Sequence, residues 1–239
     1  MDTQKVKCGF KEIVGQVNEA ERAAGRRTGE VRIIGATKFK TVEEILPVIR
    51  EGLLEAGENR AGEFVEKYDF FIENGVKPHF IGALQTNKAK YLVGRAELIQ
   101  SVDRLPLAEE INRLAVKRGV VQNILVEVNI GSEEQKSGVL PDELIGFLKV
   151  VSAMPGIGVK GLMCIPPMGN ETQTRPYFAA MKELFESVKR ENIPNIEMKE
   201  LSMGMSGDYK AAILEGATMV RIGSALFGPR TAAAAAADR

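Results

Sequence analysis

The chain has no tryptophan, a single histidine (His79), two cysteines and only 6% aromatic residues. Cys8 and Cys164 form no spacing motif, so neither a disulfide framework nor a cysteine-ligated metal site is indicated, and free thiols are expected. His79 has no Cys or carboxylate partners at ligand spacing, which points to a hydrogen bond in the core or beside a ligand rather than to a metal. Net charge is missing as well. The 32 basic and 32 acidic side chains cancel, leaving no field to gather nucleic acid or an anionic membrane surface. No apolar run approaches the ~20 residues that cross a bilayer, and the N-terminus lacks the basic-then-apolar pattern of a secretory signal. These absences predict a soluble, globular protein of the reducing cytoplasm.

What is present is a repeating pattern. Helical spacing of Phe10, Ile13, Val14 and Val17 predicts a leading helix over 5–24, ended by Gly25, Arg26 and Arg27. Eight short apolar runs follow, at 31–36, 53–56, 79–82, 98–102, 124–128, 158–163, 197–201 and 219–222. Between them lie amphipathic stretches at 41–51, 63–73, 105–118, 141–153, 176–191 and 208–215, with a short, weak third interval at 86–93. Alternating β and α segments imply parallel strands with right-handed crossovers. Eight repeats in 239 residues favour a single (β/α)8 TIM-type barrel with an extra N-terminal helix, a fold that takes about 250 residues. An open doubly wound sheet would show a glycine-rich first turn, whereas the first turn here reads Thr37-Lys38-Phe39-Lys40. The barrel domain is expected over 1–230; the tail 231–239, with six consecutive alanines, is expected to be disordered.

In such barrels functional residues collect where strands run into βα-loops. Strand one ends at Lys38, strand two leads into Glu58-Asn59-Arg60, strand three holds His79 and leads to Gln85, strand five ends at Asn129, strand seven at Ser202, and strand eight carries Arg221. A lysine closing an apolar strand is partly desolvated, which leaves more of its amine neutral and able to condense with an aldehyde. A snorkelling lysine is the alternative, and Lys40 competes for the role. The segments 201–208 and 221–228 combine glycine, hydroxyl groups and a helix start; ordinary turn chemistry with Asp208 capping a helix is the alternative, but two such segments in the last two units favour a phosphate. Arg221 inside a strand requires a fixed acceptor. A pyridine nitrogen would serve and would stay unprotonated, since arginine does not give up its proton.

The segments 34–38 (Ile-Gly-Ala-Thr-Lys), 57–60 (Gly-Glu-Asn-Arg), 79–88 (His-Phe-Ile-Gly-Ala-Leu-Gln-Thr-Asn-Lys), 136–138 (Lys-Ser-Gly), 161–163 (Gly-Leu-Met), 201–206 (Leu-Ser-Met-Gly-Met-Ser) and 219–223 (Met-Val-Arg-Ile-Gly) together resemble the pyridoxal phosphate homeostasis proteins. That family shares the barrel of alanine racemase, and the likeness runs over roughly residues 10 to 230. It implies that pyridoxal 5′-phosphate (PLP) is held as a Schiff base on Lys38, with Asn59 near the ring and Arg221 facing the pyridine nitrogen. By the same likeness Ser202, Gly223 and Ser224 hold the phosphate, and Met203 adds a backbone amide. His79 and Met163 are further candidates for contact with the cofactor. The sequence departs from the family's Ser-Lys-Thr-Lys-Pro pattern, having Thr41 where proline is usual; the departure bears on loop geometry more than on attachment.

The resemblance implies a PLP store or carrier in the cytoplasm, without strong catalysis of its own, whose recipients would be PLP-dependent apo-enzymes. The alternative is an amino-acid racemase with weak or residual activity. Racemisation needs acid/base groups on both faces of the substrate, and in the alanine racemases the second is a tyrosine delivered by an additional domain. No such domain is expected here, and of Tyr68, Tyr91, Tyr177 and Tyr209 only Tyr209 closely follows a strand end. A Schiff-base aldolase for a sugar phosphate fits barrel chemistry but not the family likeness. A monomer is expected. Lys136-Ser137-Gly138 reads as a solvated loop, with a part in cofactor exchange as the other reading; Lys88 and Lys90 fit a rim or plain solvent exposure, and Met163 and Cys164 fit core packing.

Overall fold

A computed structural model describes residues 3–228, with side chains from residue 9 onward; the alanine-rich tail lies outside the described residues. Eight parallel strands close in sequence order into a barrel: β1 Arg32–Ala36, β2 Glu55–Glu58, β3 Lys77–Phe80, β4 Leu98–Val102, β5 Gln122–Val128, β6 Ile157–Cys164, β7 Ile196–Met205 and β8 Met219–Ile222. The expected (β/α)8 architecture with an N-terminal helix is what forms. The helices are α1 Thr3–Ala23, α2 Val42–Arg50, α3 Ala61–Glu73, α4 Leu105–Arg118, α5 Leu144–Val151, α6 Glu171–Arg190, α7 Tyr209–Leu214 and the single turn α8 Ser224–Phe227. The weak third interval is a 3₁₀ turn, Thr86–Tyr91.

The boundaries follow from local chemistry. Capping boxes start α2 at Thr41 with Glu44 and α6 at Asn170 with Gln173. The second box places α6 five residues ahead of the expected start, with Pro176 inside the helix. Strands β2 and β3 sit about two residues away from the apolar runs that suggested them. Leu53 is buried in the turn after Gly52 rather than in the ladder, and Pro78 takes a strand position where its carbonyl accepts from Glu97. Strand β7 runs four residues beyond its expected end. Ser202 therefore lies within the barrel wall rather than at a strand terminus.

Two apolar layers hold the fold. Ile34, Leu98, Leu125, Met163 and Met219 fill the barrel interior, and a larger layer lies between strands and helices. Because α8 is one turn long, α1 packs against α2, α7 and α8 and covers that part of the wall. Buried Glu21 ties α1 to the barrel by accepting from the amides of Gly29 and Val31 on the way into β1. Among the described residues no helix is long and apolar enough to cross a membrane.

Candidate cofactor site

The turn that carries Lys38 is clamped from below. Thr37 donates its amide to the Gly57 carbonyl (3.0 Å) and its hydroxyl to Glu58 Oε1 (2.6 Å). Lys67 of α3, itself buried, donates to Glu58 Oε1 (2.8 Å), Glu63 Oε2 (3.0 Å) and the Thr37 carbonyl (3.0 Å). Burial pushes the Glu58 carboxyl above its ordinary value, a tendency only partly countered by Lys67 and Thr37. Glu63 also accepts the Phe39 amide at 2.8 Å, and Phe39 adopts a left-handed conformation (φ 61°). Such a conformation costs a non-glycine residue roughly 1–2 kcal/mol, which this clamp offsets. The turn thus keeps a defined shape without the family's proline. Lys38 is half-buried, with its ammonium 5.0 Å from the Phe39 ring centroid, while Arg60 packs on the same ring at 4.6 Å. Lys40, the competing lysine, is engaged by Glu44 (3.2 Å) and the Phe227 carbonyl (2.9 Å).

Lys38, Asn59, Arg221, Gly223 and Ser224 line one cleft of about 580 Å³ at the C-terminal mouth of the barrel, together with Lys40, Met205 at the end of β7, and the loop residues Ser206 and Gly207. Five of the nine expected site residues therefore converge. Gly82 packs directly on the Asn59 backbone, where an added Cβ would lie 2.4 Å from the Asn59 carbonyl oxygen. Arg221 is 4% exposed and gives two of its five N–H groups to Ser202 Oγ (2.7 Å) and the Cys164 carbonyl (2.9 Å). Burial lowers its guanidinium pKa, though from a starting value above about 12 it stays a cation.

Ser206, which the sequence analysis did not single out, accepts from the amides of Gly223 (3.1 Å) and Ala225 (3.4 Å). Its hydroxyl marks the spot where backbone donors converge.

Four expected residues stand elsewhere. Ser202 is fully buried, with its hydroxyl between Gln100 Oε1 (2.7 Å) and Arg221. Met203 points into the layer between strands and helices, and Met163 packs in the barrel interior. His79 is fully buried and lines a separate cavity of about 200 Å³ at the N-terminal end of the strands, not the mouth. Asn129 donates to the Glu133 carbonyl, and Lys136 to the Pro166 carbonyl. Asp208 does not cap α7; its carboxylate accepts the Met205 amide (2.7 Å). Tyr209 donates to Gln16 of α1 (2.6 Å), and none of the four tyrosines lines the cleft. Among the described residues no cluster of His, Cys, Asp or Glu could hold a metal ion.

Glu127 was also missed. It alternates with interior Leu125 on β5 and so points into the barrel. Burial, aided by Asp103 and opposed by Arg221, pushes its carboxyl up to about 7. The native state then binds this proton more tightly than the unfolded chain, so stability falls as pH rises from 4.5 through about 7. Glu127→Gln, which mimics the protonated form, is expected to stabilise the protein by up to about 3 kcal/mol near pH 8 and by little near pH 5. Melting curves at the two pH values check this, and an equal effect at both would refute it.

The alanine racemase N-terminal domain family matches residues 41–231. A pyridoxal phosphate homeostasis protein from Aquifex aeolicus is 44% identical over 219 residues, 91% of this chain and 95% of that protein. The corresponding Escherichia coli protein is 33% identical over 92% of this chain and 94% of its own length. The structure of PipY from Synechococcus elongatus with PLP bound superposes with a TM-score of 0.77 at 29% identity, covering 89% of this chain and all of that one. Clostridium difficile alanine racemase shares the fold alone, at 17% identity and a TM-score of 0.69, with this chain spanning 56% of it. The fold and the family match thus place the chain in the class of alanine-racemase-type barrels, and within that class it belongs to the pyridoxal phosphate homeostasis protein family.

Proposed function

We propose that this protein binds PLP on Lys38 in the mouth of the barrel and serves PLP homeostasis by holding and releasing it. The observation that carries the reading is the convergence of Lys38 and Arg221 on one cleft beside the Gly223–Ser224 turn. PLP brings an aldehyde for a primary amine, a phosphate and a ring nitrogen that can act as an electron sink when protonated. The residues fit those three features. Lys38 supplies the amine. Gly223, Ser224 and Ser206 offer small, polar, backbone-rich surroundings for the phosphate. Arg221, a donor only, presents N–H groups to the ring nitrogen and withholds a proton from it. Asn59 borders the ring, and Ser202 acts on the site through Arg221.

The same features speak against strong turnover of amino acids. An unprotonated ring nitrogen weakens the electron sink, and Tyr209 is committed to Gln16 rather than to the cleft. Racemase activity is the weaker reading, since none of the four tyrosines lines the cleft to serve as a second acid/base group. The proposal extends to a cytoplasmic monomer that passes PLP to PLP-dependent apo-enzymes. Titration with PLP is expected to give a visible band in the wild type and none in Lys38→Ala, with no racemisation of amino acids. Robust racemisation would replace the carrier reading by an enzymatic one.

A further inference from the structure

Beneath the mouth a row of buried polar side chains crosses the barrel interior, one from each of several strands. Arg221 Nη1 lies 2.7 Å from Ser202 Oγ, which lies 2.7 Å from Gln100 Oε1. Gln100 Nε2 lies 3.2 Å from His79 Nδ1, and His79 Nε2 lies 3.1 Å from Glu55 Oε2. That last approach is a close polar contact only: by hydrogen-bond geometry neither His79 Nε2 nor Glu55 Oε2 has a partner among the described residues. Glu55 in turn meets Arg32 at 3.4 Å, beside the small cavity at the N-terminal face. Ser202, Gln100 and His79 are fully buried.

The inventory of donors and acceptors allows this row only one polarity. Arg221 can only donate, so Ser202 Oγ accepts from it and must send its single proton to Gln100 Oε1. That fixes the Gln100 amide with its nitrogen toward His79, and the second amide hydrogen rests on the Met219 sulfur (3.8 Å), an acceptor. His79 Nδ1 is therefore an acceptor, which leaves the ring proton on Nε2, aimed at Glu55. At that end burial favours the protonated carboxyl, but His79, Arg32 and Lys77 outweigh it and hold Glu55 below its ordinary value, as an acceptor. The donor-only cation at one end thus sets the direction of every hydrogen bond from Arg221 to His79, and the acceptor-only anion lies beside the ring nitrogen left to carry the proton.

We propose that Ser202, Gln100 and His79, with Glu55 beside the ring, are positioning residues: a one-way hydrogen-bonded column from Arg221 to His79 that fixes His79 as its Nε2–H tautomer and sets how Arg221 faces the cofactor. The inference rests on the reading that PLP sits against Arg221. Gln100 does not line the cleft, so any effect of replacing it on PLP passes through Ser202 and Arg221.

Because His79 is the only histidine, nitrogen-15 NMR of its ring in untagged, ligand-free protein needs no assignment. The expected spectrum at neutral pH is one protonated nitrogen, Nε2, and one bare nitrogen, Nδ1. The opposite tautomer, or an averaged mixture, would overturn the column's polarity. In a second arm, Gln100→Leu is expected to release PLP about tenfold faster than wild type, the loss of one buried hydrogen bond to a charged group's partner, and to shift the visible band of bound PLP. Release and band unchanged from wild type would overturn the positioning role while leaving the PLP reading intact. A wild type that takes up no PLP would defeat the functional reading instead, and the ligand-free NMR result would still decide the column.

Discussion

Lys67→Met is expected to destabilise the protein by about 3–5 kcal/mol, the cost of stranding one member of a buried ion pair. Lys67 is 5% exposed and Glu58 is fully buried. The ammonium bonds two carboxylates and the carbonyl of Thr37, the residue before Lys38. Methionine fills most of the volume but satisfies none of those acceptors, and Glu58 Oε2 already has no hydrogen-bond partner among the described residues. Burial then raises Glu58 further, so the penalty shrinks as pH falls and the carboxyl takes up a proton. Thermal melts should show a fall of about 10 °C near neutral pH and a smaller one in acid. Adding Glu58→Gln should recover much of the loss, because the stranded charge is then gone. A variant as stable as wild type at neutral pH would mean that Lys67 does not anchor the turn.

Gly161→Ala is expected to be at least as damaging. Gly161 has φ 151°, and a Cβ there would lie 1.8 Å from the Glu200 carbonyl oxygen and 2.7 Å from its carbon. Both obstacles are backbone atoms of the neighbouring strand, so no side-chain rotation relieves the clash. The position is also where the pairing of β6 with β5 and β7 slips its register. An alanine must separate β6 from β7, and β7 carries Ser202 under Arg221. A loss above about 4 kcal/mol, or failure to fold, is the expected result; a melting temperature within a few degrees of wild type would contradict the geometry.

The barrel and the mouth were legible in the sequence for a topological reason. Parallel strands joined by helices bring all their C-terminal ends to one face, so Lys38, Asn59, Arg221, Gly223 and Ser224 had to meet there once the eight runs were recognised. Ser202 was read as a strand-end residue because Gly204 and Ser206 look like turn chemistry. Instead β7 continues to Met205, with Gly204 (φ 90°) against Ala212 and Tyr209. The sequence neighbours of His79 suggest the mouth, yet its ring belongs to the barrel's opposite end. Glu127 had a usable signal, the alternation with Leu125. Lys67 had none: a lysine in the middle of a helix reads as a solvated face, and only the packing of α3 brings it onto Glu58 and Thr37.

The most direct test of the central claim is to load the purified protein with PLP, reduce it with borohydride, digest it and locate the modified lysine by mass spectrometry. The account predicts a pyridoxyl group on Lys38, none on Lys40, and none anywhere in Lys38→Ala. A label on Lys40 or elsewhere, or an unlabelled wild type, would contradict it.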